Sequence, residues 1–290
     1  AVAQDDFDQR MQVVRLYLQA ERYRDAAREL ETIRNDFAGR AGVVHEESLE
    51  GGHRDPVVAV EVGDAGLHES YDGGTNFQRI NNFPIAQFYA LAVDMRDPYW
   101  VYGGLQDNHS FMGPSQTRRW AGILNDDWMQ SGFGDGMYWA ADPRDSRYSY
   151  GSSNGGSYFR YDTRTGDILD ISPIEPPGEN YRFDWTSPMM LSQHDPDVLY
   201  VAGNRLFISH NRGSSWQRTE DLSRQIDRDE LDIMGVKGRD ITISRNDGTG
   251  SFGEAVTLDE SPIDPSVLWV GFDDGNLQVS RDGGATWSEV

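Results

Sequence analysis

The chain has 290 residues, 37% of them hydrophobic, with 13 Tyr, 12 Phe and 8 Trp, enough for one large all-β domain or two ordinary domains with a real core. Its 26 basic residues against 48 acidic ones leave a net charge of −22, a surface that repels phosphate backbones and argues against nucleic acid as a partner. Cysteine is absent, which excludes a disulfide framework and thiolate chemistry, and no run of about 18 apolar residues offers a membrane-spanning helix.

Ala1-Val2-Ala3 matches the small-residue end of a signal peptide, an expectation of export. Residues 7–37 carry apolar side chains at helical spacing: Val13, Leu16, Tyr17 and Ala20, then Tyr23, Ala26, Ala27, Leu30, Ile33 and Phe37. No Gly or Pro interrupts them before Gly39, which is a stop signal. The spacing predicts one long helix, or a helical hairpin bending near Glu21, and a first domain over 1–40. The phrase ERYRDAARELETI is similar to a tetratricopeptide helix, but a single copy has no neighbours to bury its face. A plain amphipathic helix packed on the next domain is the simpler expectation.

From about Val57 the texture changes to short β-runs cut by Gly, Asp, Asn and Pro. A unit recurs: an apolar strand, an Asp-Pro-like turn, a strand rich in Val, Tyr and Gly, a second turn and a third strand. Pro98, Pro143, Pro196 and Pro265 mark one point in four copies, at spacings of 45, 53 and 69 residues. A period near 45 with several short strands per unit predicts a β-propeller over 41–290, with about five blades.

The last copy ends NLQVSRDGGATWSEV. Asp-Gly pairs supply the positive φ of tight hairpins. Asp282 can accept backbone N–H groups of its own turn, Ser280 can do so from the strand end, and Trp287 can turn its ring between neighbouring sheets. Ser280, Asp282, Gly284, Thr286 and Trp287 form a full Ser-x-Asp-x-Gly-x-Thr-Trp phrase. Ser209, Asn211, Gly213, Ser215 and Trp216 repeat it with Asn for Asp, and Ser70, Asp72, Gly74 and Phe77 repeat it with Phe for Trp. This pattern resembles the Asp-box, or bacterial neuraminidase repeat, and its role here is read as structural.

The resemblance widens through VYGGLQDNHSFMGPS, DGMYWAADP, LSQHDPDVLYVAGNRLFISHNRGSSW and LWVGFDDGNLQVSRDGGATW. From about Gly63 to Val290 the chain is similar to large bacterial proteins of the glycosyl hydrolase and sortilin N-terminal-like repeat type. That resemblance implies export and a longer parent, so that the chain is a fragment or a shortened member whose remaining blades come from elsewhere. It carries over no reaction.

Strand order in a propeller places the second-to-third-strand loops and the blade-to-blade connections on one face, around the channel, and the box turns on the other. On the channel face the sequence places Gln106, Asp107 and Asn108, then Asn154, Arg205 and Asp273, together with Asn81-Asn82, a connection from Asn125 through Asp127 and Trp128 to Asp135, and the stretch Tyr181–Trp185 with Asp184. Aromatics with carboxylates and amides bind sugars, and two carboxylates about 5–10 Å apart hydrolyse glycosidic bonds. Asp107 with Asp127 or Asp135 is the candidate catalytic pair. Gln106, Asn108, Trp128, Asp184, Trp185 and Arg205 are candidate ligand contacts. Asp and Asn at such points also cap turns. A sialidase is disfavoured, because Arg182 and Arg205 are the only Arg in these loops and the Arg-Ile-Pro phrase is missing. The six His have no metal-ligand spacing, Asn246–Gly250 lacks the Glu of a calcium loop, and no cofactor motif occurs. The expected function is an exported scaffold binding a glycan, peptide or protein on its channel face. A glycoside hydrolase and a purely structural propeller are the alternatives.

Overall fold

The computed structural model describes residues 59–63, 66–71, 75–80, 86–243 and 251–290. The predicted helix over 7–37, the domain boundary near residue 40, Asp72, Gly74, Asn81, Asn82 and the segment 246–250 lie outside the described residues. Among the described residues, helix is confined to three 3-10 turns at Asn125–Asp127, Arg228–Glu230 and Gly238–Asp240, and no helix is long and apolar enough to cross a membrane.

The chain divides into two compact units between Ile85 and Ala86. The first contains an antiparallel sheet of β1 (Ala59–Gly63), β2 (Gly66–Ser70) and β3 (Gln78–Ile80) in sequence order. Its box-like segment, with buried Ser70 and exposed Phe77, joins β2 to β3.

The second unit holds four four-stranded antiparallel sheets, each in sequence order. They comprise β4 (Phe88–Val93), β5 (Trp100–Leu105), β6 (Ser110–Pro114) and β7 (Met129–Gln130); then β8 (Gly136–Ala141), β9 (Tyr148–Ser153), β10 (Ser157–Asp162) and β11 (Ile168–Asp170). The third sheet is β12 (Met189–Leu191), β13 (Leu199–Ala202), β14 (Leu206–Ser209) and β15 (Gln217–Arg218). A small hairpin, β16 (Asp232–Ile233) and β17 (Val236–Lys237), precedes the fourth, which is β18 (Ala255–Glu260), β19 (Leu268–Phe272), β20 (Leu277–Ser280) and β21 (Ser288–Glu289). The first strands of successive sheets neighbour one another: β4 with β8, β8 with β12, and β12 with β18. The sheets are therefore propeller blades around an axis lined by their first strands.

The core lies between blades. Tyr102, Met112, Trp139, Phe159 and Tyr161 join the first to the second. Tyr150, Tyr158, Ile171, Leu199, Val201 and Phe207 join the second to the third. Tyr200, Leu206, Ile208, Leu268, Val270 and Phe272 join the third to the fourth. Because the second and third sheets are covered on both faces, a second strand such as Leu199–Ala202 is buried at every position and reads as an apolar run rather than an alternating one. Near the axis the blades meet backbone to backbone: a Cβ on Gly104 would lie 2.3 Å from Gly136 C and from Met137 O.

The turn from first to second strand is built on a polar residue that closes the first strand. Buried Asp94 accepts Arg96 N (3.2 Å), Trp100 N (2.9 Å) and the Tyr102 hydroxyl (2.9 Å). Buried Asp142 accepts Arg144 N (2.9 Å), and Ser192 Oγ accepts His194 N and Asp195 N (both 3.1 Å). These bonds correct one expectation. Pro143 is not the partner of Pro98, Pro196 and Pro265. It follows Asp142 directly, where the other copies have Met95, Gln193 and Pro262, and Ser146 occupies the place of Pro98, Pro196 and Pro265. What recurs is the aspartate before it, whose carboxylate caps the turn: Asp145 accepts Arg147 N (3.0 Å), Asp195 accepts Asp197 N (3.0 Å) and Asp264 accepts Ser266 N (2.9 Å).

Candidate functional site

The box turns, between third and fourth strands, are local clips. Ser280 Oγ accepts Gly284 N (2.8 Å) and donates to Asp282 Oδ1 (2.8 Å), while Asp282 accepts Thr286 N (2.8 Å) and Thr286 Oγ1 (2.6 Å). Ser209, Asn211, Gly213 and Ser215 repeat the pattern, with Asn211 Oδ1 accepting Ser215 N at 2.9 Å. The Thr286 hydroxyl, the Thr286 amide and Ser280 hold the Asp282 carboxyl down to about 2, below its ordinary 3.8. Its contribution to folding is therefore complete above the unfolded value and lost as pH falls through the folded one. Acid titration of the unfolding free energy should lose this term in Asp282→Asn, whereas Asn211→Gln should leave the profile's shape unchanged.

The opposite face carries the second-to-third-strand loops 106–109, 154–156, 203–205 and 273–276, with the connections 131–135, 171–188 and 219–254. Backbone bonds lace them together: His109 N to Gly134 O (3.0 Å), Asn154 N to Asp135 O (3.1 Å), Gly155 N to Trp185 O (3.2 Å), Asn204 N to Arg182 O (2.8 Å) and Asp273 N to Glu254 O (3.0 Å). Asp107 and His109 both hold positive φ, at 57° and 65°.

This face brings Asp107 and Asp135 together, but through the Asp107 amide, which donates to Asp135 Oδ1 at 2.9 Å. Gln106 N bonds Gln87 O at 3.0 Å, and Asn108 Nδ2 returns to Gln106 O at 2.9 Å. Asp127 and Trp128 belong to the other face. The strand that closes the first blade is Met129–Gln130, paired with Phe111 and Met112, so residues 115–128 form the third-to-fourth-strand connection. The sequence misplaced them because this loop lacks the box that marks the same turn elsewhere. Asp127 accepts Leu124 N (2.9 Å) and pairs with Arg119 (3.1 Å), and the Trp128 ring covers Gly113. An Asp107–Asp127 pair is thereby excluded. Arg205 lies on the channel face but is engaged by Thr219 O (2.7 Å), Glu179 (3.7 Å) and Glu220 (3.6 Å).

Sequence reasoning missed Glu254 and the exposed ring of Phe133. Glu254 is 4% exposed and stands immediately before β18, behind the long 219–254 connection that hides its place in the repeat. Burial pushes its carboxyl up against the bond from the Ser251 hydroxyl, and the Asp273 and Asp184 charges push the same way. Loss of solvent also pushes Asp273 up against its two backbone donors, Glu254 N (2.8 Å) and Gly253 N (2.9 Å), with Asp274 and Asp184 adding to the rise. Asp184 accepts Thr186 N (2.8 Å) and Thr186 Oγ1 (2.9 Å). Arg182, beside them, is engaged through Nε and Nη2. It reaches Phe252 O (3.0 Å), Asp221 (3.1 Å), Ser223 (3.0 Å) and Gly253 O (3.3 Å), pinning the 219–254 connection. Three carboxylates thus share one field, with Trp185 54% and Phe133 46% exposed on the same face. Among the described residues no His, Asp and Glu form a group placed to hold a metal ion.

No family model matches the chain, and no curated protein does. Solved structures similar to it include an ancestral GH74 enzyme, at 13% identity and TM-score 0.48, over 80% of this chain and 29% of that one. The GH74 xyloglucanase from Xanthomonas campestris matches at 14% identity and TM-score 0.44, over 78% of this chain and 35% of that one. YCF48 bound to D1 peptide matches at 16% identity and TM-score 0.38, over 81% of this chain and 78% of that one. The chain spans about a third of the length of the two GH74 structures. At these identities the likeness concerns the fold alone.

Proposed function

We propose that this propeller is an exported binding scaffold whose clips are Asp-boxes and whose channel face takes a peptide or protein ligand through a basic side chain. The observation that carries the reading is the shared field of Asp184, Glu254 and Asp273. Burial first, and then the neighbouring carboxylate charges, raise the Glu254 and Asp273 carboxyls, and an added cation opposes both rises, as Arg182 already does at Glu254. The surrounding charge of −22 speeds the approach of a basic partner.

A peptide with one Arg among Gly and Ser should bind in a salt-dependent manner, and its Gln counterpart should not. Asp184→Asn and Asp273→Asn should each weaken binding about tenfold, as removal of one charge-assisted contact does. Protonation competes with the ligand, so affinity should fall as pH drops through a window above the ordinary carboxylate range. The sign for the unliganded fold is opposite. Raised folded values mean that the native state holds more protons there, so its stability rises as pH falls. Equal binding of the Arg and Gln peptides, measured calorimetrically, would sink the proposal.

Glycoside hydrolysis is the second reading, and one observation favours it: a carboxyl kept protonated to higher pH is a suitable general acid, and Glu254 beside Asp184 fits that description. It predicts new reducing ends from a polysaccharide panel, abolished in Glu254→Gln.

A further inference from the structure

The junctions between blades allow one part of the molecule to be compared with another. At the second-to-third junction, Ile171 follows β11, is 3% exposed and fills the space before the clip: a Cβ on Gly213 would meet its side chain at 2.6 Å. The Trp216 indole donates to Ile171 O at 2.7 Å, so the aromatic clip closes onto its neighbour. At the third-to-fourth junction the equivalent of Ile171 is Thr219. Ile171 N bonds Tyr158 O and Thr219 N bonds Leu206 O, both at 3.0 Å, and the preceding pairs are Phe159 with Asp170 and Phe207 with Arg218. Thr219 is not what faces the clip there: a Cβ on Gly284 would meet Ile208 at 3.0 Å, a looser contact than that of Gly213 with Ile171. The Thr219 hydroxyl accepts Leu206 N (3.1 Å) and donates to Glu220 O (2.7 Å). The Trp287 indole accordingly turns back to its own clip and donates to Gly284 O at 3.0 Å. The result is a cleft of about 560 Å³ with Ile208 and Leu222 among its walls and Ala285, Thr286 and Trp287 along one side, a size suited to a ligand site.

We infer that this cleft is a docking hole for a branched aliphatic side chain carried on an extended segment of a partner polypeptide, whose carbonyl takes over the Trp287 indole N–H. The occupant's chemistry is read from Ile171, which supplies that side chain and that carbonyl at the neighbouring junction. The cleft lies at the third-to-fourth junction and involves none of Asp184, Glu254 or Asp273, so it is independent of the channel-face reading.

The test uses the full chain and a peptide copied from its own residues 168–173, Ile-Leu-Asp-Ile-Ser-Pro. The indole N–H resonance of Trp287, assigned through Trp287→Phe, should shift saturably with peptide. The same peptide with alanine at its fourth position should bind about tenfold more weakly, as expected for loss of one buried aliphatic side chain. Ala285→Phe, at an exposed position on the cleft wall, should weaken binding at least as much without lowering Tm, and Thr219→Ile should do so by filling the hole from within. No Trp287 shift at millimolar peptide, equal affinity for the alanine peptide, or unchanged binding in Ala285→Phe would overturn the assignment.

Discussion

Glu260→Ala should destabilise the protein by about 4 kcal/mol, the range seen when one partner is removed from a buried charged network. Glu260 is fully buried and spans two blades. From the end of β18 it accepts the Ser192 hydroxyl on both oxygens (2.9 Å each), Gln193 N (2.6 Å) and the Tyr200 hydroxyl (3.0 Å), all from the third blade. Alanine leaves three donors without this acceptor, two of them, the Ser192 and Tyr200 hydroxyls, buried, and a void beside Leu268, its cross-strand partner. Glu260→Gln should cost much less, about 1 kcal/mol, because its amide can face the Tyr200 oxygen while its carbonyl keeps Gln193 N. Denaturant unfolding of both variants separates the outcomes. Equal losses would show that charge, not acceptor count, holds the junction.

Gly104→Ala should cost about 3 kcal/mol, the upper range for overpacking, and should lower Tm by roughly 6–12 °C for a domain of this size. The obstacle is backbone on both sides of the junction: the new methyl meets Gly136 C and Met137 O at 2.3 Å, and neither can rotate away as a side chain would. Gly103→Ala is the informative contrast. Its methyl meets side chains only, the Phe88 ring at 2.3 Å and Leu91 at 3.1 Å, and these are 44% and 63% exposed, so both can swing out and the loss should be smaller. Thermal unfolding of the pair measures the difference.

Much of the fold was legible because a blade is written locally. Each antiparallel pairing joins neighbouring strands, as Tyr158 pairs Ser152 and Val201 pairs Phe207, and turn chemistry marks where they reverse. Ser280, Asp282 and Gly284 bond within five residues of one another, so no distant element is needed to recognise the clip. Where that marker is missing, in residues 115–128, local sequence does not distinguish the two faces, and Asp127 and Trp128 lie on the face opposite to the expected one. Pro143 falls out of register with the other prolines for a related reason: its turn is held by Asp142 and Asp145 and tolerates Ser146 in the proline's place.

The candidate site was less legible. Asp184 and Asp273 were on the expected face by strand order, and Trp185 is exposed there. Glu254 was hidden by the length of the 219–254 connection, and the engagement of Arg205 and of Asp135 Oδ1 by neighbouring groups has no trace in local sequence.

The sequence by itself determined the hairpins, their turns and their repetition around an axis, because those depend on alternation, positive-φ residues and hydrogen bonds that close over a few residues. Tertiary structure alone decided which carboxylates share a field and which junction is left with a hole. Asp184, Glu254 and Asp273 lie up to 89 positions apart in the chain, and their mutual repulsion exists only once two blades pack. Thr219 differs from Ile171 in consequence because the clip indole closes onto Ile171 O at one junction and turns back to Gly284 O at the other.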